Sequence, residues 1–364
     1  MKIPFLDLRR QYQQIKHEID AEILRVLSDG FFIGGVPVLD FENAFSKFSG
    51  ATDCISCANG TDALEIALKA LGIGRGDEVL VPANSWVSTA EAVNNVGAEP
   101  VFVDVIEREY TIDPGLLESA ITDQTKAIIP VHLYGLPARM ADITVIAKKY
   151  DLKIIEDCAQ AHGAQLNGRA VGTFGEAATF SFYPSKNLGA YGDAGAIVTS
   201  DLHLAGKMRR IANHGLLGKH DHQLIGRTSR LDTLQASVLL IKLRYLEQWV
   251  LKRNLVASWY NEYLREDIAR PVNMDGVYHA FHLYVIRTKY RKDLIELFDD
   301  LGIGYGIHYP VPIPLIDSYS YKGHNRNQFP IASKLSEEII SLPMYPELSE
   351  REVKYICDQI NTIG

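Results

Sequence analysis

The chain has 364 residues, 47% hydrophobic and 23% charged, enough to bury a large core and ordinary for a soluble globular enzyme. Its formal net charge of −8 argues against a general nucleic-acid binder, which needs a basic face. No apolar run reaches transmembrane length and residues 1–10 turn charged too early for a signal peptide, so a cytoplasmic protein with no membrane partner is expected. Residues 1–30 read as an arm with an amphipathic helix, apolar at Ile15, Ile19, Ile23 and Leu24. Phe31-Phe32-Ile33-Gly34-Gly35 is a turn-rich loop, and residues 40–48 a short helix.

Cys54-Ile55-Ser56-Cys57 is formally a C-x-x-C pair. Cys158 and Cys357 stand alone, no matching histidines complete a zinc site, and the segment alternates like a strand, so no metal is expected. Four cysteines fit a reducing compartment. Gly60-Thr61 then opens a helix with Ala63, Leu64, Ala67, Leu68 and Leu71 on its apolar side. Gly72-Ile73-Gly74-Arg75-Gly76 follows that helix and precedes a strand, so it is a cap and turn, not a dinucleotide fingerprint.

Strands are expected at residues 78–82, 100–105, 126–131, 152–157, 178–182 and 194–199, with helices at 88–96 and 142–150 between them. Apolar strands separated by helices predict an α/β architecture with a mostly parallel central sheet, helices on both faces. His220-Asp221-His222 lies in a polar stretch with no third ligand and reads as solvated. A long helix is expected over 231–250, then strand, helix and strand at 284–287, 294–301 and 303–309. The division predicted is an arm plus large α/β domain over 1–250 and a smaller α+β domain over 251–364.

In such a sheet ligands collect beyond the carboxyl ends of the strands, where His132, Asp157, Tyr183 and Lys186 all fall. A lysine and an aspartate placed so suit pyridoxal phosphate, which needs an amine for a Schiff base and a carboxylate to keep its ring nitrogen protonated. A freed lysine amine then serves as general base and acid. Asn59-Gly60-Thr61-Asp62 is either a plain helix cap or a phosphate site on unpaired N–H groups. Ser181 and Ser185 are further candidate phosphate donors. Gln160 is placed to reach the phenolic oxygen, and Trp86 either stacks on the ring or fills core.

Taken in order, these segments resemble the DegT/DnrJ/EryC1/StrS family of nucleotide-sugar aminotransferases, within the fold-type I pyridoxal phosphate enzymes. The segments are Phe5-Leu6-Asp7-Leu8, Asn59-Gly60-Thr61-Asp62-Ala63-Leu64, Gly76-Asp77-Glu78-Val79, His132-Leu133-Tyr134-Gly135, Glu156-Asp157-Cys158-Ala159-Gln160-Ala161, Tyr183-Pro184-Ser185-Lys186-Asn187-Leu188-Gly189, Gly192-Asp193-Ala194-Gly195-Ala196, Arg230-Leu231-Asp232, Gln235-Ala236 and His308-Tyr309-Pro310. The resemblance implies Lys186 as Schiff-base lysine and Asp157 on the ring nitrogen. It implies Gln160 on the phenolic oxygen, Gly60, Thr61 and Ser181 on the phosphate, and Trp86 stacked. It further implies a homodimer with sites at the interface, glutamate as donor and a nucleotide-linked keto sugar as acceptor, near His308 and Tyr309. Tyr183 and Arg230 are the other candidate substrate contacts, Arg230 being equally open to a structural role.

One position departs from the family. An asparagine that reaches the partner's cofactor phosphate is replaced by Thr228, preceded by Arg227, so that contact is lost, shifted or taken by Arg227. The Gly-Asp-Ala-Gly-Ala and His-Tyr-Pro-Val-Pro runs resemble members acting at C3. A dTDP-3-keto-6-deoxyhexose acceptor is preferred to a UDP-linked 3-keto uronic acid or to C4 chemistry. Sugar 3-dehydratases of this fold carry histidine in place of the lysine, and Lys186 argues against that reaction. The intact Lys186–Asp157 pair argues against a purely regulatory role.

Overall fold

The computed structural model describes residues 1–363. Seven strands form the central sheet: β1 (Asp53–Cys57), β2 (Glu78–Pro82), β3 (Glu99–Val103), β4 (Thr125–Ile128), β5 (Lys153–Asp157), β6 (Ala177–Ser181) and β7 (Gly195–Thr199). Their order across the sheet is β1-β7-β6-β5-β4-β2-β3, and only β7 runs against its neighbours. The expected mostly parallel sheet is therefore present, and one edge gathers the carboxyl ends of six strands.

Both faces are covered, which explains the unbroken apolar runs. Alternate residues of one strand serve different cores. Val79 and Val81 pack with α3 (Gly60–Ala70), whereas Leu80 packs with Leu117, Ile143 and Ala147 on the opposite face. A third cluster joins Phe41 and Phe45 of α2 (Val36–Ser49) to Ala178, Phe180 and Val198. A further helix, Pro114–Ala120, joins β3 to β4; at 7 residues it is too short for its sequence to show a helical period.

The N-terminal helix α1 spans Leu8–Asp29. Asp7 caps it by accepting from the N–H groups of Arg9 and Arg10 at 3.1 Å, and Gly30 ends it at φ 66. Ile15 and Ile19 are buried as expected, but Leu24 is exposed. The long helix runs from Thr233 to Tyr263 rather than ending near residue 250. No glycine or proline interrupts it, and Val256, Ala257 and Tyr260 carry its apolar side into a second core.

That second core packs Phe298, the strand residues Ile340 and Leu342, and the helix Glu350–Ile360 around a two-stranded antiparallel sheet, Tyr284–Arg287 with Ile339–Leu342. Ile3 of the arm is fully buried in it and bridges Ile303. The strand expected over 303–309 is reduced to isolated bridges at Ile303 and Gly306. Among the described residues no helix is long and apolar enough to cross a membrane.

Candidate active site

A cavity of about 720 Å³ opens at the carboxyl edge of the sheet. Its lining contains Gly60, Thr61, Trp86, Asp157, Gln160, Ser181, Tyr183, Lys186, His308 and Tyr309, ten residues singled out from sequence. Most follow a strand end, whereas His308 and Tyr309 come from the irregular segment beyond the Gly306 bridge. Asp157 is the last residue of β5 and Ser181 the last of β6, with Lys186 in the turn that follows.

Asp157 is buried and firmly held. One carboxylate oxygen accepts from Thr89 Oγ1 at 3.0 Å and the other from the Ala159 N–H at 3.1 Å. Thr89 is itself paired with Ser85 Oγ at 2.9 Å. Burial raises the Asp157 pKa, and these donors with the nearby Lys186 charge oppose the rise. Burial also lowers Lys186, to about 8, with Asp157 opposing. A lysine so placed carries both amine and ammonium near neutral pH.

The turn before α3 approaches β6 closely. A Cβ on Gly60 would lie 2.8 Å from Ser181 Cβ, and one on Gly195 only 2.4 Å from the Asn59 carbonyl. Both glycines are thus required by backbone approach. Asn59 caps the helix by accepting from the Asp62 N–H at 2.8 Å, and Thr61 donates to Ser88 Oγ at 2.8 Å. The cap and the open helix start coexist, so the two sequence readings of this turn are not exclusive. The Gly60 cradle, the hydroxyls of Thr61 and Ser181, and the Lys186–Asp157 pair fit pyridoxal phosphate in size and donor set.

Gln160 accepts from the Tyr134 N–H at 2.7 Å and donates to Tyr309 Oη at 3.0 Å, leaving one amide hydrogen uncommitted. Trp86 is 56% exposed on the cavity rim, 5.7 Å from the Tyr309 ring, and so is not core filling. Tyr183 is exposed on the same rim. His308 stacks on Phe5 at 5.8 Å and meets Ser341 Oγ at 2.8 Å, and burial lowers its pKa to about 4.

Arg230 is not part of this lining. Ser229, Leu231 and Thr233 are buried while Arg230 and Asp232 face outward, an alternation that turns the guanidinium to the surface. Thr228 is exposed and meets His214 Nε2 at 2.8 Å. Arg227 is taken by Asp62 at 2.6 Å and by Glu65 of the same helix, so it braces α3 within its own chain. His132, at a strand end, is turned away from the cavity. Its Nε2 meets Glu156 at 3.0 Å and its Nδ1 accepts from the Ala138 N–H.

His132, Glu156 and Cys158 lie close enough to suggest a metal, but Glu156 also accepts from the N–H groups of Gly172, Phe174 and Gly175. Its lone pairs are spent on backbone, and the cluster is a brace. All four cysteines are free and buried, Cys54 and Cys57 within β1, where burial raises both thiols. His220-Asp221-His222 sits on an exposed hairpin. Thr89 and His282, both lining the cavity, were missed from sequence, because nothing local marks either one.

Comparison with known proteins agrees with this geometry. The model of the DegT/DnrJ/EryC1/StrS aminotransferase family matches residues 13–361. A dTDP-3-amino-3,6-dideoxy-alpha-D-galactopyranose transaminase from Aneurinibacillus thermoaerophilus is 44% identical, over 100% of this chain and 99% of its own. A UDP-2-acetamido-2-deoxy-3-oxo-D-glucuronate aminotransferase from Pseudomonas aeruginosa is also 44% identical, over 98% of each chain. The crystal structure of S. venezuelae DesV in complex with a ketimine intermediate superposes with a TM-score of 0.97 at 40% identity, covering 99% of this chain and 98% of that one. The chain belongs to the DegT/DnrJ/EryC1/StrS aminotransferase family and is a pyridoxal phosphate-dependent sugar aminotransferase.

Proposed function

We propose that this enzyme transfers an amino group from glutamate to C3 of a nucleotide-linked keto sugar, a dTDP-3-keto-6-deoxyhexose, giving a dTDP-3-amino-3,6-dideoxyhexose. The observation that carries the reading is the placing of Lys186 and the buried Asp157 in one cavity with the Gly60 turn in its wall. When bound, pyridoxal phosphate supplies a carbonyl carbon that takes up and releases an amine, and a ring that accepts the electrons left by a departing Cα proton.

The chain's own residues do the rest. Lys186 carries that proton, its amine kept available near neutral pH by burial. Asp157, fixed by Thr89 and the Ala159 N–H, would offer its carboxylate to the ring nitrogen. Gly60, Thr61 and Ser181 would hold the phosphate, Gln160 would offer its spare amide hydrogen to the phenolic oxygen, and Trp86 would cover the ring. Tyr183, His308 and Tyr309 face the sugar.

C3 chemistry and the dTDP nucleotide follow the name of the Aneurinibacillus relative. A neutral sugar is favoured by the lining. Glu91 and Asp193 contribute to it, Asp62 is already paired with Arg227, and Lys186 is its only lysine or arginine among the described residues. A uronate carboxylate would meet repulsion there. The Pseudomonas relative's name supports the UDP-linked uronic acid as the second reading, which needs an arginine from outside this lining.

Arg230 is a candidate for that role in a homodimer. Leu27, Phe31, Phe32, Ile33, Val36 and Leu39 expose apolar surface between α1 and α2, and Asp232 bridges Ile33. Arg230 thus stands beside a surface suited to a second copy. The test uses the cofactor's colour. Enzyme bleached with glutamate and freed of donor is offered the 3-keto sugar or the dTDP-4-keto-6-deoxyhexose. Recovery of the visible band with the 3-keto sugar alone is expected; recovery with the 4-keto sugar alone moves the reaction to C4. Recovery only with the UDP-linked 3-keto uronic acid selects the second reading.

A further inference from the structure

Tyr134 does not line the cavity, yet all three of its polar groups are tied to segments that form the cavity's walls. Its N–H donates to Gln160 Oε1 at 2.7 Å, its carbonyl accepts from the Leu283 N–H at 3.2 Å, and its hydroxyl donates to the His308 carbonyl. The residue is 3% exposed, its ring edge-on to Tyr110 at 5.3 Å. The backbone there is left-handed, at φ 60 and ψ 2, a region that a bulky aromatic residue rarely occupies. That conformation costs free energy, which the three tethers and the buried ring offset.

These bonds close a ring. A backbone N–H only donates, so the Gln160 amide turns Oε1 to Tyr134 and leaves Nε2 for Tyr309. Nε2 donates to Tyr309 Oη at 3.0 Å. Tyr309 follows His308 in the chain, and the His308 carbonyl returns to the Tyr134 hydroxyl. Because Tyr309 Oη accepts from Gln160, its own proton is free, with no acceptor among the described residues, and Tyr309 lines the cavity. Burial keeps both phenols protonated. Gln160 lies three residues beyond β5, whereas the 308–309 segment follows Gly306, which bridges Ser341 in the second core's sheet. The ring therefore spans the two parts of the fold.

We propose that Tyr134 is a positioning residue for both sides of the site: its N–H sets the Gln160 amide, and its hydroxyl holds the His308–Tyr309 segment at the cavity. Any residue but proline offers the N–H; the hydroxyl is what tyrosine adds. Losing the hydroxyl leaves the His308 carbonyl without that donor and loosens Tyr309 from Gln160, while the bond from the Tyr134 N–H to Gln160 survives. The inference rests on His308 and Tyr309 facing the sugar, but the tether itself can be tested without any sugar.

Tyr134→Phe removes the hydroxyl and keeps the ring, the N–H and the turn. In the apoenzyme, deuterium uptake over residues 303–311 should quicken about tenfold, with uptake over 157–161 little changed. In the loaded enzyme, kcat/KM for the dTDP-3-keto-6-deoxyhexose should fall about tenfold, the effect of one hydrogen bond. Bleaching by glutamate and affinity for pyridoxal phosphate should change by less than about threefold, because Gln160 keeps its N–H partner. Tyr309→Phe and the double variant complete a cycle. If Tyr134 works through Tyr309, the double loss in kcat/KM should be smaller than the product of the single losses by about threefold or more. Unchanged uptake over 303–311 overturns the proposal, as does an additive cycle. Equal losses toward glutamate and sugar that track a lowered melting temperature overturn it in favour of a general structural role. If the wild-type enzyme aminates no keto sugar, the sugar reading fails instead, and the deuterium uptake alone decides whether the tether exists.

Discussion

Gly60→Ala tests the phosphate cradle most directly. The new methyl would start 2.8 Å from Ser181 Cβ and 3.3 Å from Ser181 Cα, both fixed at the end of a central strand. Restoring ordinary carbon contact needs roughly 0.7 Å of separation between the α3 turn and β6. Those two elements together carry the N–H groups and hydroxyls assigned to one phosphate. A shift of that size lengthens at least one charge-assisted hydrogen bond past its useful range, at about 1.5–3 kcal/mol. Cofactor affinity should fall about 10- to 100-fold, measured by titrating apoenzyme with pyridoxal phosphate and following the visible band. Circular dichroism and melting temperature should change little by comparison, since α3 keeps its Asn59 cap. Unchanged affinity in a folded Gly60→Ala enzyme would mean that the phosphate sits elsewhere.

Other perturbations have distinct signatures. Lys186→Ala should abolish turnover, and normal turnover would remove the mechanism. Asp157→Ala should cost far more activity than a surface change, wild-type rates meaning that another group holds the ring nitrogen. Thr89→Val removes a hydrogen bond to the Asp157 carboxylate and should lower kcat about tenfold or more, with Thr89→Ser recovering most of it; equal rates for both would deny Thr89 a role. Gly206→Ala, inside helix Leu202–Ala212 with nothing within 4 Å of its Cβ, should stabilise the fold by about 0.5–1 kcal/mol in denaturant melts; a loss of stability would contradict the open surroundings.

Much of this fold was legible because the central strands are apolar throughout and short turns separate them from helices. The site was legible where a residue type sits at a strand end, as Asp157 and Lys186 do. Direction was harder. His132 also follows a strand but turns into the protein, because Glu156 and the Ala138 N–H claim both ring nitrogens. Arg230 lies on a chain segment whose in-out alternation is set by Leu231 and Ser229, and in one chain it faces away from the cavity. Thr89 and His282 meet partners 68 and 95 residues distant, which no local pattern encodes. The second core was blurred for the same reason: Ile3, at the opposite end of the sequence, completes it.

The uninterrupted helix Thr233–Tyr263 has a consequence for how the protein melts. Its first half packs Val238, Ile241 and Trp249 with Ile15 and Ile19, while its second half supplies Val256, Ala257 and Tyr260 to the C-terminal core. Fraying one end exposes apolar surface that the other end's packing helps hold in register, so the two cores share a cooperative unit. A single calorimetric endotherm, with matching van't Hoff and calorimetric enthalpies, is the expected behaviour of a chain joined in this way.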